Sequence, residues 1–171
     1  MNKFFSLILL FVTSFQCFAD SAYIGVDYML TEIELSGEKA KPSATSLRVG
    51  VSNSNMAFEA QYLSANGNDN IYSMEFDLQQ SIGLYFVMQS DIIEGVGVDI
   101  SLGYAMTDMT VSGPENTYNG EDNYNGFSWG LAIHQQIPNL KHVHVRLAYQ
   151  SFYNDSDIEI NGVSLGVTYQ F

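Results

Sequence analysis

The sequence predicts an all-β protein: an eight-stranded antiparallel up-and-down transmembrane β-barrel. Three observations predict it. Apolar and non-apolar residues alternate through eight stretches, and a strand turns alternate side chains to opposite faces. The connections between the stretches run alternately long and short, the pattern of short periplasmic turns and longer outside loops. The last stretch, from Asn161 to Phe171, sets Val163, Leu165, Val167, Tyr169 and Phe171 on one face against Gly162, Ser164, Gly166, Thr168 and Gln170 on the other. An apolar face ending on an aromatic residue suits the closing strand of a membrane barrel better than a frayed soluble terminus.

Ahead of the strands, Met1 to Ala19 reads as a secretory signal peptide, leaving residues 20–171 as the barrel domain. Lys3 supplies the positive start, Phe4 to Phe15 the apolar run, and Cys17-Phe18-Ala19 the small residues flanking a cleavage point before Asp20. That run is shorter than the roughly 20 apolar residues of a spanning helix. The single cysteine, Cys17, falls inside the signal, so the barrel is expected to carry neither disulfide nor thiol chemistry. The net charge of −13 disfavours nucleic acid, which needs a basic footprint.

The first strand spans about Ala22 to Glu34, with Ile24, Val26, Tyr28 and Leu30 opposite Gly25, Asp27, Met29 and Thr31. A polar loop follows from Leu35 to Ser43. Leu47, Val49 and Val51 mark the second strand, Ser52 to Asn55 a tight turn, and Met56, Phe58, Ala60 and Tyr62 the third. Ser64 to Ser73 is a loop. From Met74 to Gln89 the parity holds throughout, with Leu78 and Ile82 on the same side, so this is one long fourth strand whose first part stands above the membrane. Asp91 to Gly95 turns into a fifth strand carrying Val98, Ile100, Leu102, Tyr104 and Met106. Thr110 to Asn125 is the longest loop, rich in Asn, Gly and acid. Phe127, Trp129, Leu131 and Ile133 mark the sixth strand. Gln136 to Leu140 turns about Pro138, and Val143, Val145, Leu147 and Tyr149 mark the seventh. A last loop, Tyr153 to Glu159, leads to the closing strand.

The apolar set is assigned to lipid and the small or polar set to the lumen. Tyr28, Tyr62, Tyr104 and Tyr149 form the outer aromatic girdle, and Tyr169 and Phe171 belong to the periplasmic one. Eight strands leave a lumen filled by side chains, in which charges must pair. Folding the second hairpin about Asn53-Ser54 sets Arg48 opposite Glu59. An interior ion pair or gate is therefore expected from Arg48, Glu59, Asp27, Asp77, Asp99 and Arg146, with Glu75 beside them. Folding about Pro138 sets His134 opposite His142, with His144 on the same inward face near Asp99. These are weak candidates for a metal, since they also serve as hydrogen-bonded filler or as groups titrating near pH 6. No catalytic residue and no cofactor is expected.

The A-Y-I-G-V-D-Y opening, the eight alternating strands and the V-S-L-G-V-T-Y-Q-F ending resemble the small OmpA/OmpX-type outer-membrane β-barrel proteins of Gram-negative cells, often called the porin family. The resemblance covers essentially all of Asp20 to Phe171. It implies residence in the cell outer membrane among lipid and lipopolysaccharide. It also implies that Val163, Leu165, Val167, Tyr169 and Phe171 form the assembly signal read by the barrel-assembly machinery. A non-enzymatic surface barrel follows, contacting a host or cell-surface ligand through its loops, chiefly Thr110 to Asn125. The alternatives are a narrow gated pore for ions or small solutes and, more remotely, a lipid-modifying barrel enzyme. The deacylase pattern of that last class has a His-x-Ser pair, and His134-Gln-Gln and His142-Val-His144 lack the serine.

Overall fold

The computed structural model describes residues 20–35, 38–66, 69–71, 74–90, 93–112, 119–155 and 158–171. The expected signal peptide lies outside these residues. Ten strands are present: β1 (Ser21–Leu35), β2 (Glu38–Ala40), β3 (Ser43–Asn53), β4 (Met56–Ala65), β5 (Asp69–Ile71), β6 (Met74–Gln89), β7 (Val96–Ser112), β8 (Asn119–Ile137), β9 (Leu140–Asn154) and β10 (Ile158–Gln170). Eight of them are the staves of a closed barrel, in the order β1-β3-β4-β6-β7-β8-β9-β10. β10 returns to β1 over a continuous antiparallel ladder from Tyr23↔Gln170 to Leu35↔Ile158. Closure pairs every stave on both sides, which is what lets a sheet cross a membrane without an open edge. β2 and β5 are short additions on the loop ends of β1 and β6.

Alternation decides the two faces. Val26, Leu30, Leu84, Phe127 and Leu165 are exposed on the outer wall, and Asp27, Ser46, Arg48, Ser128 and Ser164 are buried in the lumen. Tyr28, Tyr62 and Tyr104 ring the wall toward the long connections, while Tyr169 and Phe171 lie at the other end, where Phe171 is 70% exposed. The short turns share that end with Asp20 and Phe171. Ser54-Asn55 joins β3 to β4 and Pro138-Asn139 joins β8 to β9. Asn139 has φ 72°, which fits the left-handed position after proline in a type II turn.

Five expectations need correction. The turn of the β3–β4 hairpin is Ser54-Asn55, closed by Asn53↔Met56, so Arg48 lies opposite Gln61 and Glu59 opposite Gly50. The positive φ of Ser54 places it within the turn rather than at the end of a strand. The β8–β9 ladder has a bulge between Gln136 and Ile137, so His134 faces Arg146, not His142. In β6 a bulge at Gln79 breaks the apparent parity: Leu78 pairs with Met109 and Gln80 with Asp108. Leu78 therefore points into the lumen with 1% exposure, not to lipid. An extra residue on one strand of a ladder reverses the facing of what lies beyond it. The predicted long loop Thr110 to Asn125 is mostly strand, since β7 and β8 stay paired from Val96↔Gln135 to Ser112↔Asn119, and residues 113–118 lie outside the described set. Finally, the loops predicted at Leu35 to Ser43 and Ser64 to Ser73 contain β2 and β5.

The lumen has two storeys. Beneath the long connections Met29, Ile33, Leu63, Leu78, Met109, Phe152, Ile158 and Ile160 pack into one apolar cluster, joined at its edge by Tyr124 and Tyr153. Nearer the chain ends the interior is polar and charged.

Candidate functional site

The lower storey starts from Arg48. Its Nε donates to Asp27 Oδ2 at 2.5 Å, and its Nη2 donates to Asp27 Oδ1 at 3.1 Å and Thr168 Oγ1 at 2.9 Å. Nη1 donates to Glu59 Oε2 at 2.9 Å, an oxygen that also accepts from the Tyr23 hydroxyl at 2.8 Å. The fork of a guanidinium matches a carboxylate edge to edge. One side chain thus ties β1, β3, β4 and β10 together. Glycines make room: Gly25 lies against the Arg48 head and Gly50 beneath the Tyr23 ring, where a Cβ would collide with either group.

Arg48 and Glu59 meet although they are not directly opposite. Their register is displaced by two residues from the sequence expectation, and a displacement of two keeps both side chains on the same face. A long arginine then spans the diagonal.

The second group lies on β7, β8 and β9. His134 Nδ1 is 3.2 Å from Asp99 Oδ2, and the His134 and His144 rings meet edge-on with centroids 5.7 Å apart. Arg146 is buried, yet its nearest carboxylate oxygens are Asp27 Oδ1 at 3.9 Å and Asp99 Oδ2 at 4.0 Å. His142 does not join this group. It is exposed, its Nδ1 is 3.0 Å from the Gln170 carbonyl oxygen, and its ring tilts against Tyr169. Among the described residues no three His, Cys, Asp or Glu side chains converge as a metal would require. The side chains of Asp77 and Glu75 lie outside the described residues.

β6 supplies Tyr85, whose hydroxyl is 3.1 Å from Ser128 Oγ, and Gln150 Nε2 donates to the same Ser128 Oγ at 3.1 Å. All eight staves therefore place a polar side chain in this storey. Between the charged groups is a cavity of about 220 Å³, lined in part by Tyr23, Arg48, Glu59, Asp99, His144 and Arg146, and also by Ser54, Asn55 and Ser90 at the turn end. It opens toward the short turns, the periplasmic side of such a barrel.

Sequence reasoning missed the apolar storey. Met29, Ile33, Leu63, Met109, Ile158 and Ile160 all lie on the inward parity, so carrying the alternation past the tyrosine girdle reveals them. Phe152 likewise continues the inward parity of Ala148 and Gln150, whereas Leu78 enters only through the bulge at Gln79.

A closed eight-stave barrel with an apolar outer wall, aromatic girdles and a plugged lumen is an outer-membrane protein. The chain belongs to the family described as the outer membrane protein beta-barrel domain, whose model matches residues 5–171. It is similar in fold to Ail, the attachment invasion locus protein of Yersinia pestis, with TM-score 0.67 and 14% identity over 88% of this chain and 98% of that one. Neisserial surface protein A superposes with TM-score 0.68 at 14% identity, covering 88% of this chain and 97% of that chain. OprG from Pseudomonas aeruginosa gives TM-score 0.56 at 10% identity over 90% and 97%. Among curated proteins, no sequence matches it.

Proposed function

We propose that this protein is a non-enzymatic surface barrel that acts through the strand ends and loops standing above its outer girdle. The observation that carries the reading is the sealed upper storey. Packed apolar side chains fill the lumen beneath the long connections, so what this protein offers to the outside is its rim. Arg48, Glu59, Asp27, Asp99 and Arg146, expected from the sequence as an ion pair or gate, lie below that seal and brace the staves.

The rim has a sign. Glu32, Glu34, Asp108, Asp122, Asp155 and Glu159 face only Lys39 and Lys41 among its described charged residues. Lys39 Nζ is already 2.6 Å from Glu32 and 3.2 Å from Glu34, and Lys41 Nζ is 3.3 Å from Glu32. Ail has been captured with a heparin analogue, sucrose octasulfate. An acidic rim repels such polyanions and favours a basic ligand or divalent cations shared with lipopolysaccharide phosphates. Cells displaying the barrel should adhere to surfaces coated with basic peptide, lose that adhesion in high salt, and ignore heparin-coated ones. Replacing residues 113–118 with a short Gly-Ser link should weaken the adhesion. Retention on heparin would sink the reading.

We also infer export by the signal peptide and recognition of the outward set on β10 by the barrel-assembly machinery. Val163, Leu165, Val167, Tyr169 and Phe171 are all exposed along one side of that stave. Deleting Phe171 should lower the fraction that reaches the outer membrane, read as heat-modifiable band on a gel, and equal insertion would refute the assignment.

A further inference from the structure

Above the apolar storey, two tyrosines meet at the mouth of the lumen. Asp122, Tyr124, Gly126 and Ser128 share one face of β8, and the buried Ser128 marks that face as inward. On β9, Tyr153 pairs with the buried Ile160. The two rings lie with centroids 5.5 Å apart and planes at 58°. Gly126 makes the room, since a Cβ there would stand 3.1 Å from the Tyr153 ring. Both tyrosines pack against the apolar cluster and remain partly exposed. Tyr124 is above the girdle, opposite Thr107, three residues beyond Tyr104.

Each ring has a carboxylate beside it. Asp122 is exposed and stands opposite Met109, at the top of the packed storey. The Tyr153 hydroxyl donates to Asp155 Oδ2 at 3.4 Å. Desolvation first, and then the charges of these same carboxylates, raise both phenols above their ordinary value: Asp122 acts on Tyr124 and Asp155 on Tyr153. The composition selects a cation. A phenol ring has a negative face, which attracts a positive charge laid over it, while Asp122 and Asp155 turn anions away. Rings tilted at this angle do not cover each other, so a planar group has a surface to lie on. Of the two basic side chains arginine suits both parts, because its guanidinium stacks on an aromatic face and its fork reaches a carboxylate edge. An ammonium is a compact, strongly hydrated charge and loses the stacking. Among the described residues the cations above the girdle are Lys39 and Lys41, and both are held by Glu32.

We propose that Tyr124 and Tyr153, with Asp122 and Asp155, form a subsite at the mouth of the barrel for an arginine side chain of a basic peptide. This rests on the reading of the rim as a contact surface for basic ligands, and it names the groups that recognise them. The packed storey below keeps the side chain on the tyrosine platform rather than inside the lumen. The test is NMR on the refolded, tyrosine-labelled barrel in lipid nanodiscs, following the ring signals of Tyr124 and Tyr153. Acetyl-Gly-Arg-Gly-amide should shift both saturably. Its lysine counterpart should bind about two- to fivefold more weakly, and its citrulline counterpart, which keeps the shape without the charge, about tenfold more weakly. Asp122→Asn should weaken the arginine peptide about two- to fivefold and Tyr124→Leu by about as much, while Glu94→Gln, at the turn end of the barrel, should leave it unchanged. If a variant fails to refold, the three peptides on the unmodified chain still decide. Citrulline binding as tightly as arginine overturns the proposal, and so does lysine binding as tightly, which leaves a general charge effect. Cells that adhere to basic peptide while both ring signals stay unmoved also overturn it, and the reading of the rim then survives. Arginine-selective shifts in a barrel whose cells fail to adhere uphold the subsite and remove the adhesive role instead.

Discussion

In the half of the lumen nearest the chain ends, Arg48 holds two carboxylates and a hydroxyl at named atoms. In the half beneath the long connections, Met29, Leu63, Leu78 and Met109 meet through carbon and sulfur alone. Both storeys fill the same narrow tube, yet they tolerate change differently. Dispersion and burial are non-directional, so the apolar storey needs volume. The charged storey needs each donor facing its acceptor, because removing one partner strands the others away from water.

That contrast ranks the expected effects. Arg48→Ala leaves Asp27 and Glu59 buried without their cation and should cost about 3–5 kcal/mol, measured by urea unfolding in lipid vesicles. Arg48→Lys keeps the charge but loses the fork to Asp27, so it should remain clearly destabilising. Neither variant should conduct ions in a planar bilayer, since the seal lies above, and a conducting Arg48→Ala would restore the gate. Met109→Ala should cost about 2–5 kcal/mol through the cavity it leaves. Met109→Leu conserves volume and should cost less than about 1.5 kcal/mol. If Arg48→Lys proves as mild as Met109→Leu in the same unfolding series, the distinction between storeys fails.

The smallest effect belongs to the rim. Hydrogen bonds from Lys39 first, and then Lys41, hold the Glu32 carboxyl below the usual carboxylate range. A depressed folded pKa contributes stability that is present above the ordinary carboxylate value and lost as pH falls through the folded one. Glu32 lies above the girdle and is exposed to screening. Acidification should therefore speed amide exchange across Glu34↔Lys39 slightly, and Lys39→Ala should weaken that pH dependence, with Lys41 holding what remains. An unchanged acid response in Lys39→Ala would sever the link.

Much of this was written in local order. Strand number, the lipid face from Ile24 to Val167 and the closure of β10 on β1 follow from alternation and chain order. Met29, Ile33, Leu63 and Met109 were legible too, as apolar residues on the inward parity. Leu78 was not, because Leu78 and Ile82 look like one unbroken stripe, and only the ladder to β7 exposes the bulge at Gln79. The pairing of Arg48 with Glu59 was anticipated from a register two residues out. It survives in the structure because an even displacement preserves facing and arginine is long enough for the diagonal.

By itself, then, the sequence determined which side of each stave meets lipid, since a period of two is a property of the strand alone. The tertiary structure decided what meets what inside. His134 came to Asp99 and His144 while His142 stayed out against Tyr169, because bulges and turn placement set the register between strands. The same offsets left Asp99 Oδ1, His144 Nε2 and Arg146 Nε buried in the charged storey without hydrogen-bond partners, for an interstrand register is fixed only once the sheet has closed on itself.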